Sequence, residues 1–295
     1  MAGLLLLLLS PVLVSFSLPS RSAPGYRWQY QSADDYYHGP QKSPDGRWEA
    51  YTRVNRFPDA EQRNDWVSDV SLYIRNIRTG KEKRLVRVAG RVNVPVTAGW
   101  SPDSKRVLYW SLISYGSSSV NADGSGLRDV SIRGGRPREL SDRIMRKPEC
   151  ITFSPDGRLL LLVEGWSRFM VEFKRLVQVE YWNGKRRFLT SKRIAAIEPA
   201  WSKDVRHIAY TATRDGHWTT ERDSAHQRWS HMHLWVMNSN GSGKRQLTSD
   251  ASFHELSPHW TGSRSVRFTR VENGGANRLS NWEIRSDGTG LRRIR

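Results

Sequence analysis

One pattern occurs five times along this chain of 295 residues. Each copy opens on a residue pair that ends in Ser or Thr, passes through a tight turn into a short run of β-forming residues, and closes on a Gly turn followed by basic residues. The openings lie at Lys42–Gly46, Trp100–Ser104, Phe153–Gly157, Trp201–Asp204 and Trp260–Ser263. A spacing of roughly 50 residues is typical of propeller blades, so the pattern predicts a repeat protein.

Each copy has the chemistry of a four-stranded antiparallel unit. In Ser-Pro-Asp-Gly, Pro fixes the first turn dihedral, Asp bonds to nearby amides and Gly takes a positive φ, which reverses the chain. The runs that follow, such as Arg106–Ser111 and Arg158–Val163, are β-branched, aromatic or apolar and too short for helices. Because one such sheet is marginal alone, radial stacking of the units predicts an all-β fold, a single β-propeller of four-stranded blades.

Two stretches of the fourth copy, Glu198–Thr211 and Leu234–Thr248, resemble the repeat of the TolB propeller and its PD40 (WD40-like) relatives. The resemblance covers about 41–295 and implies a propeller; the same repeat occurs in scaffolds, in peptidase propellers and in lyases. The family usually has six blades and an additional N-terminal α/β domain, whereas five repeats are legible here. We therefore expect five or six blades, the alternatives being a complete five-bladed ring, a degenerate sixth blade or a truncated gene.

The start of the chain predicts export. An apolar region over Leu4–Leu9 and Pro11–Phe16 is followed by small residues, which is typical of a signal peptide over residues 1–22. A mis-assigned start codon ahead of a cytosolic protein is the alternative. Residues 23–40 form an N-terminal segment in which Tyr26–Tyr30 is predicted to supply a ring-closing strand, and residues 41–295 form the propeller. The expected product is a periplasmic or secreted monomer with no transmembrane segment after signal removal.

The propeller uses nearly the whole chain, which leaves no room for a separate catalytic domain. The Gly-x-Ser-x-Gly motif that the hydrolase partner of a peptidase propeller requires does not occur. The single cysteine, Cys150, permits no internal disulfide and is predicted to be a buried, inert thiol. These observations favour a non-enzymatic scaffold that binds a protein or a ligand, with no cofactor.

Basic residues crowd one set of turns. The formal net charge is +18, and after the Gly turns the chain carries a run of basic side chains that a propeller would gather on one face. This predicted basic ring comprises Lys81, Arg84, Arg136, Arg138, Lys185, Arg186, Arg187, Lys244, Arg245, Arg292 and Arg293. Such a ring attracts an acidic glycan or another anionic surface. The alternative is structural, because Lys and Arg at exposed strand edges prevent unwanted pairing.

Nucleic acid is not a favoured partner. Base stacking needs exposed aromatic platforms, whereas Trp100, Trp201 and Trp260 recur at one repeat position, which is typical of packing between blades.

Histidines point to the opposite face. Seven of the eight lie at or beyond position 207, many of them in a long insertion at 215–233 and in a stretch at 252–259 that we interpret as a blade-to-blade loop. The predicted ligand-binding residues are His217, Glu221, Asp223, His226, Gln227, His254, Glu255 and His259.

His231 and His233, two apart on an extended strand, are candidate ligands of a divalent metal. With Gln227 they resemble the Gln-and-His metal site of oligogalacturonate lyases, although the spacing differs. The resemblance implies an alternative function, a metal-dependent lyase acting on oligouronide-type polysaccharides. A polar binding loop without metal is the simpler interpretation.

Overall fold

The computed structural model of the chain describes residues 40–56, 69–89, 94–112, 125–144, 151–165, 174–213, 232–273 and 278–294. These residues all belong to one compact unit that spans 36–295. The regular secondary structure in them is entirely β, in twenty strands. None of the described segments forms a helix long and apolar enough to cross a membrane.

The strands form five blades in chain order. Blade 1 contains β1 (Gln41–Lys42), β2 (Trp48–Arg56), β3 (Asp69–Asn76) and β4 (Glu82–Ala89). Blade 2 contains β5 (Val94–Trp100), β6 (Arg106–Leu112), β7 (Ser125–Ser131) and β8 (Arg138–Ile144). Blade 3 contains β9 (Ile151–Phe153), β10 (Leu159–Glu164), β11 (Arg175–Glu180) and β12 (Arg186–Phe188).

Blade 4 contains β13 (Ala196–Trp201), β14 (His207–Ala212), β15 (His233–Asn238) and β16 (Arg245–Gln246). Blade 5 contains β17 (Phe253–Trp260), β18 (Ser265–Glu272), β19 (Leu279–Arg285) and β20 (Arg292–Ile294). Each blade is an antiparallel meander in which consecutive strands pair, and one residue pair, Glu164 with Ile144, also joins blade 3 to blade 2. The predicted all-β propeller of four-stranded blades is confirmed, with five blades.

Apolar side chains fill the spaces between neighbouring blades. One cluster joins blades 1 and 2 through Leu72 and Tyr109, and another joins blades 3 and 4 through Leu161 and Tyr210. A third cluster joins blades 4 and 5. The first strand of blade 4 contacts the first strands of blades 3 and 5, as expected of the innermost strands of a propeller.

The repeated tryptophans pack between blades, as predicted. Trp100 lies in the cluster of blades 1 and 2, and its indole donates to the carbonyl of Gln41 in blade 1 at 2.9 Å. Trp260 packs against the cluster of blades 4 and 5 and donates to Ala200 in blade 4 at 3.0 Å. Trp201 lies in the cluster of blades 3 and 4, and its indole nitrogen has no hydrogen-bond partner among the described residues.

Candidate functional site

Two sets of turns lie on the same side of the blades, which we call the turn face. In every blade, an amide at the start of the third-to-fourth turn donates to the carbonyl of the basic residue that ends the first-to-second turn. The five bonds, 2.7–3.0 Å long, join Ile77 to Arg47, Ile132 to Lys105, Tyr181 to Arg158, Ser239 to Arg206 and Ser286 to Arg264. Because the acceptor is basic in all five blades, one cation per blade lies at an equivalent position on this face.

The first-to-second turns are held by side chains as their sequence predicts. In blade 3 the Ser154 hydroxyl donates to Asp156 at 2.5 Å and accepts the Leu159 amide at 2.9 Å. The hydrogen bond from Ser154 holds the pKa of Asp156 below its ordinary value. Blades 1, 2 and 4 repeat this arrangement. In blades 1 and 2 the turn carboxylate also pairs with the adjacent cation, Asp45 with Arg47 at 2.8 Å and Asp103 with Lys105 at 3.8 Å, so these turns contribute less positive charge than their basic residues suggest.

Turns of neighbouring blades also touch. The Asp45 amide of blade 1 donates to the Ser104 hydroxyl of blade 2 at 3.0 Å. Lys83 of blade 1 donates to the carbonyl of Arg133 in blade 2 at 2.7 Å, and Gln178 of blade 3 donates to Ser239 of blade 4 at 3.0 Å. Hydrogen bonds therefore link the turns of blades 1 and 2, and those of blades 3 and 4, on this face.

Members of the predicted basic ring divide into two groups. Arg138, Arg186 and Arg292 form ion pairs with Asp129, Glu164 and Glu283, and Arg187 donates to Gln178. Residues that are exposed and form no ion pair closer than 4 Å with the described residues are Lys81, Arg84, Arg136, Lys244, Arg245 and Arg293. Lys185 is exposed and lies 4.0 Å from Glu180. The exposed cations without a close ion pair outnumber the paired ones, so the net charge of the ring is positive. That the ring binds an anion stays a prediction.

The opposite side, which we call the loop face, carries a buried polar cluster between blades 4 and 5. The Glu255 side chain is fully buried, and its Oε2 accepts from Thr248 at 2.8 Å and lies 2.9 Å from Nδ1 of His233. Its Oε1 accepts from Nε of Arg270 at 3.0 Å. The Arg270 guanidinium in turn lies 4.7 Å from the ring centre of Trp282. A buried charge is tolerated only when it is paired and hydrogen-bonded, and the three partners of Glu255 meet this requirement.

His233 is held in one orientation by this cluster. Glu255 fixes Nδ1, while no described residue bonds to Nε2. A carboxylate on one imidazole nitrogen is the usual arrangement behind a histidine that binds a metal or moves a proton at the other. Among the described residues, no three His, Cys, Asp or Glu side chains come together as a metal site requires. The cluster therefore leaves one imidazole nitrogen, Nε2 of His233, to act as a metal ligand or to accept a proton.

The stretch at 252–259 is not a loop, which corrects the sequence interpretation. Phe253–Trp260 is strand β17, and a bulge between Leu256 and His259 accommodates its proline, with Ser257 at a φ of 53°. His254 lies at the loop-face end, where Nδ1 is 2.8 Å from Asn273, and burial lowers the pKa of its imidazole. His259 lies near the turn-face end of the strand, away from His254 at its other end.

Other predicted residues fall outside the described residues. They are His217, Glu221, Asp223, His226, Gln227 and the candidate ligand His231, together with Cys150 and residues 1–39. Their roles, the signal peptide and the ring-closing strand stay predictions.

Sequence reasoning did not identify Arg270 and Thr248 as partners of Glu255. Arg270 lies in a β-pattern of blade 5 with no motif around it, and Thr248 follows the end of a repeat. A charged residue at a core-facing position of a strand was the one available signal for Arg270.

Comparisons with known proteins give structural likeness only. No family model matches the chain, and no curated protein matches it. Its structure resembles that of an Agrobacterium tumefaciens protein assigned as TolB, with a TM-score of 0.49, 17% identity and 86% of this chain aligned to 78% of that one. A Bacteroides ovatus protein assigned as a dipeptidyl aminopeptidase IV aligns over 87% of this chain and 39% of its own length, at 14% identity and a TM-score of 0.60.

An oligogalacturonate lyase in complex with manganese aligns over 88% of this chain and 65% of its own length, at 12% identity and a TM-score of 0.51. The chain thus spans less than two thirds of the peptidase and of the lyase. At these identities a likeness shows the fold and no activity. The structural likeness therefore supports the fold of the chain and carries nothing about its activity, substrate or partners.

Proposed function

We propose that the protein is an exported, non-enzymatic binding scaffold whose turn face binds an acidic glycan or a similar anionic surface. The main support for the proposal is a backbone hydrogen bond that recurs in all five blades. In each blade it holds one basic residue at an equivalent position on the turn face. Arg47 and Lys105 pair with Asp45 and Asp103 but keep 76% of their side chains exposed there, and the exposed cations that follow the Gly turns, such as Lys81 and Lys244, add positive charge without such partners among the described residues. Closely spaced cations of one sign raise the local concentration of a polyanion. Export rests on the apolar region of residues 1–22.

The test compares two charge-matched double variants. Arg158→Glu with Arg206→Glu reverses two turn-face cations of neighbouring blades, and both backbone carbonyls remain as acceptors. Lys192→Glu with Arg278→Glu reverses two exposed cations on the loop face. On immobilised heparin we expect the first variant to elute at clearly lower salt than the second, because charges within a Debye length of about 8 Å act together. Equal elution of the two variants would show that net charge alone governs retention.

One observation favours the lyase as a second candidate. His233 presents an imidazole nitrogen on the loop face with Glu255 behind it, which suits a metal ligand or a base. The test is metal analysis of the purified chain before and after chelation, followed by an oligouronide cleavage assay that monitors the unsaturated product. Cleavage that depends on His233 and on metal would replace the scaffold proposal. A chain with no cleavage in either state would leave the scaffold as the account of its function.

A further inference from the structure

Trp182 is an exposed tryptophan on the turn face. It is 52% exposed, whereas the other tryptophans in the described part of the chain are buried or partly buried. It lies in the third-to-fourth turn of blade 3, directly after Tyr181, whose amide marks this face through its bond to Arg158. The first-to-second and third-to-fourth turns of all five blades belong to the described residues, and with these turns in place half of Trp182 remains open.

The fold does not require a tryptophan at this position. The turn of blade 3 is held by its own backbone, because the Glu180 amide donates to Lys185 and the Gly184 amide donates to Glu180, each at 2.8 Å. Tryptophan is also among the residue types most enriched where a few side chains dominate a binding energy. In the other blades the residue after the equivalent amide is polar, namely Arg78, Arg133, Asn240 and Asp287.

The indole is held in place by the buried ring next to it. The rings of Trp182 and Tyr181 lie 4.7 Å apart at an angle of 69°. Tyr181 is 1% exposed, and it is fixed by the bond from its hydroxyl to Asp129 at 2.5 Å and by an edge contact with Phe153 at 4.9 Å. A side chain that is already ordered loses little conformational entropy when a ligand binds to it. Trp182 is therefore a preformed apolar surface.

Two exposed cations lie beside this surface. Arg158 accepts the amide of Tyr181 through its carbonyl, and its side chain forms no ion pair closer than 4 Å with the described residues. Lys185 belongs to the same turn as Trp182, and 79% of its side chain is exposed. A flat apolar surface and positive charge therefore occur together at one place on the turn face.

We propose that Trp182 is the sugar-stacking residue of the turn face, on which a pyranose ring of an acidic glycan packs. The C–H groups on one face of the pyranose bury apolar area against the indole. Carboxylate or sulfate groups on that sugar or its neighbours pair with Arg158 and Lys185. The inference rests on the proposed function and adds to it the part of the ligand that is recognised besides its charge.

The surroundings of the indole favour a glycan over single-stranded nucleic acid. Successive bases stack on several aromatic side chains, whereas the equivalent turn positions of the other four blades carry none. A glycan needs a single aromatic surface, because one sugar ring supplies the apolar contact and its substituents supply the charge.

The test separates stacking from charge by isothermal titration calorimetry on the full chain. The probes are a sulfated decasaccharide, an oligogalacturonate of about the same length, and an inorganic polyphosphate of about ten phosphates, which has charge but no apolar face. We expect Trp182→Ala to bind one or both saccharides about tenfold more weakly and to bind polyphosphate as the unchanged chain does. The saccharide affected identifies the anionic group as sulfate or carboxylate.

Two further variants serve as controls. Ile77→Ala removes another apolar side chain of the turn face, 43% exposed in blade 1, and should leave saccharide binding unchanged. Trp182→Tyr keeps an aromatic surface and should retain most of the affinity. The loss in Trp182→Ala should be the same at low and at high salt, whereas the loss in Arg158→Glu should shrink as salt rises, because salt screens charges and not apolar contacts. Thermal unfolding checks that each variant is folded.

The outcomes distinguish this inference from the proposed function. Binding of no probe would overturn both. Saccharide binding that Trp182→Ala leaves unchanged, or an equal loss for saccharides and polyphosphate, would overturn the stacking role of Trp182 and leave anion binding by the turn face in place. Binding that depends on Trp182 and is tighter for vesicles of anionic phospholipid, or for a thymidine decanucleotide, than for both saccharides would overturn the choice of a glycan.

Discussion

At the residue scale, the first-to-second turns of blades 1 to 4 adopt a positive φ at one position whether or not the sequence supplies glycine. Gly46 and Gly157 have φ values of 71° and 69°, and Ser104 and Val205 adopt 58° and 61° at the equivalent positions. The Ser and Asp side chains fix the turn strongly enough to impose this conformation on other residues. Sequence reasoning predicted the turns from their Ser-Pro-Asp chemistry, but not that Val205 would carry backbone strain.

The glycines of two turns should respond differently to alanine. Gly46→Ala meets no atom within 4 Å, so we expect only the cost of a positive φ, about 1–2 kcal/mol. Gly157→Ala adds a contact at 3.0 Å with Cβ of Pro102 in the neighbouring blade, which should raise the loss by roughly 1–3 kcal/mol. Urea unfolding of the two variants measures the difference. Equal losses would mean that the turns of blades 2 and 3 do not touch.

At the element scale, polar side chains as well as apolar clusters hold the blades together. Burial alone would raise the pKa of Asp129, but hydrogen bonds from Arg138, Arg106 and Tyr181 outweigh it and hold the pKa below its ordinary value. The stabilisation is therefore complete above the unfolded pKa of about 3.9 and is lost as pH falls through the lower folded value.

Two buried tyrosines should respond oppositely to removal of the hydroxyl. Tyr181→Phe removes a donor to Asp129 and should cost about 1.5–3 kcal/mol, and acid unfolding should begin at a higher pH because the carboxylate loses one of its partners. Tyr210→Phe is the control, since its buried hydroxyl has no hydrogen-bond partner among the described residues. We expect Tyr210→Phe to be neutral or stabilising. Urea unfolding at pH 7 and a pH titration of unfolding check both; similar losses would contradict the assigned bond.

Across elements, the strands and the packing of the tryptophans between blades could be predicted, while the buried polar contacts could not. Repeat spacing fixes how many strands form, because turn chemistry and β-forming runs are local. Glu255 and Arg270 are register partners on β17 and β18, and their contact could not be predicted because the sequence of β17 reads as a loop; the strand contains a proline, which the bulge between Leu256 and His259 accommodates. A bulge of this kind carries no local sequence signal beyond a proline near the strand end.

At the scale of the whole molecule, propeller connectivity predicts that all five blades direct their basic turns to one side, and we propose that this side binds anions. Five equivalent amide-to-carbonyl bonds join the two turns within each blade, and further hydrogen bonds join turns of blades 1 and 2 and of blades 3 and 4. What the sequence could not predict is that Asp129, Glu164 and Glu283 form ion pairs with some of these cations, because the pairs depend on the exact register of neighbouring strands. Fewer cations are therefore available to bind an anion than the ring has basic residues.

The most direct test of this claim is lysine footprinting on the intact chain. Acetylation rates are measured by mass spectrometry with and without a sulfated decasaccharide. We expect the turn-face lysines Lys81, Lys105, Lys185 and Lys244 to be protected several-fold, and Lys192, which is exposed between blades 3 and 4 on the loop face, to react at an unchanged rate. Equal protection of Lys192, or no protection of the four turn-face lysines, would contradict the account.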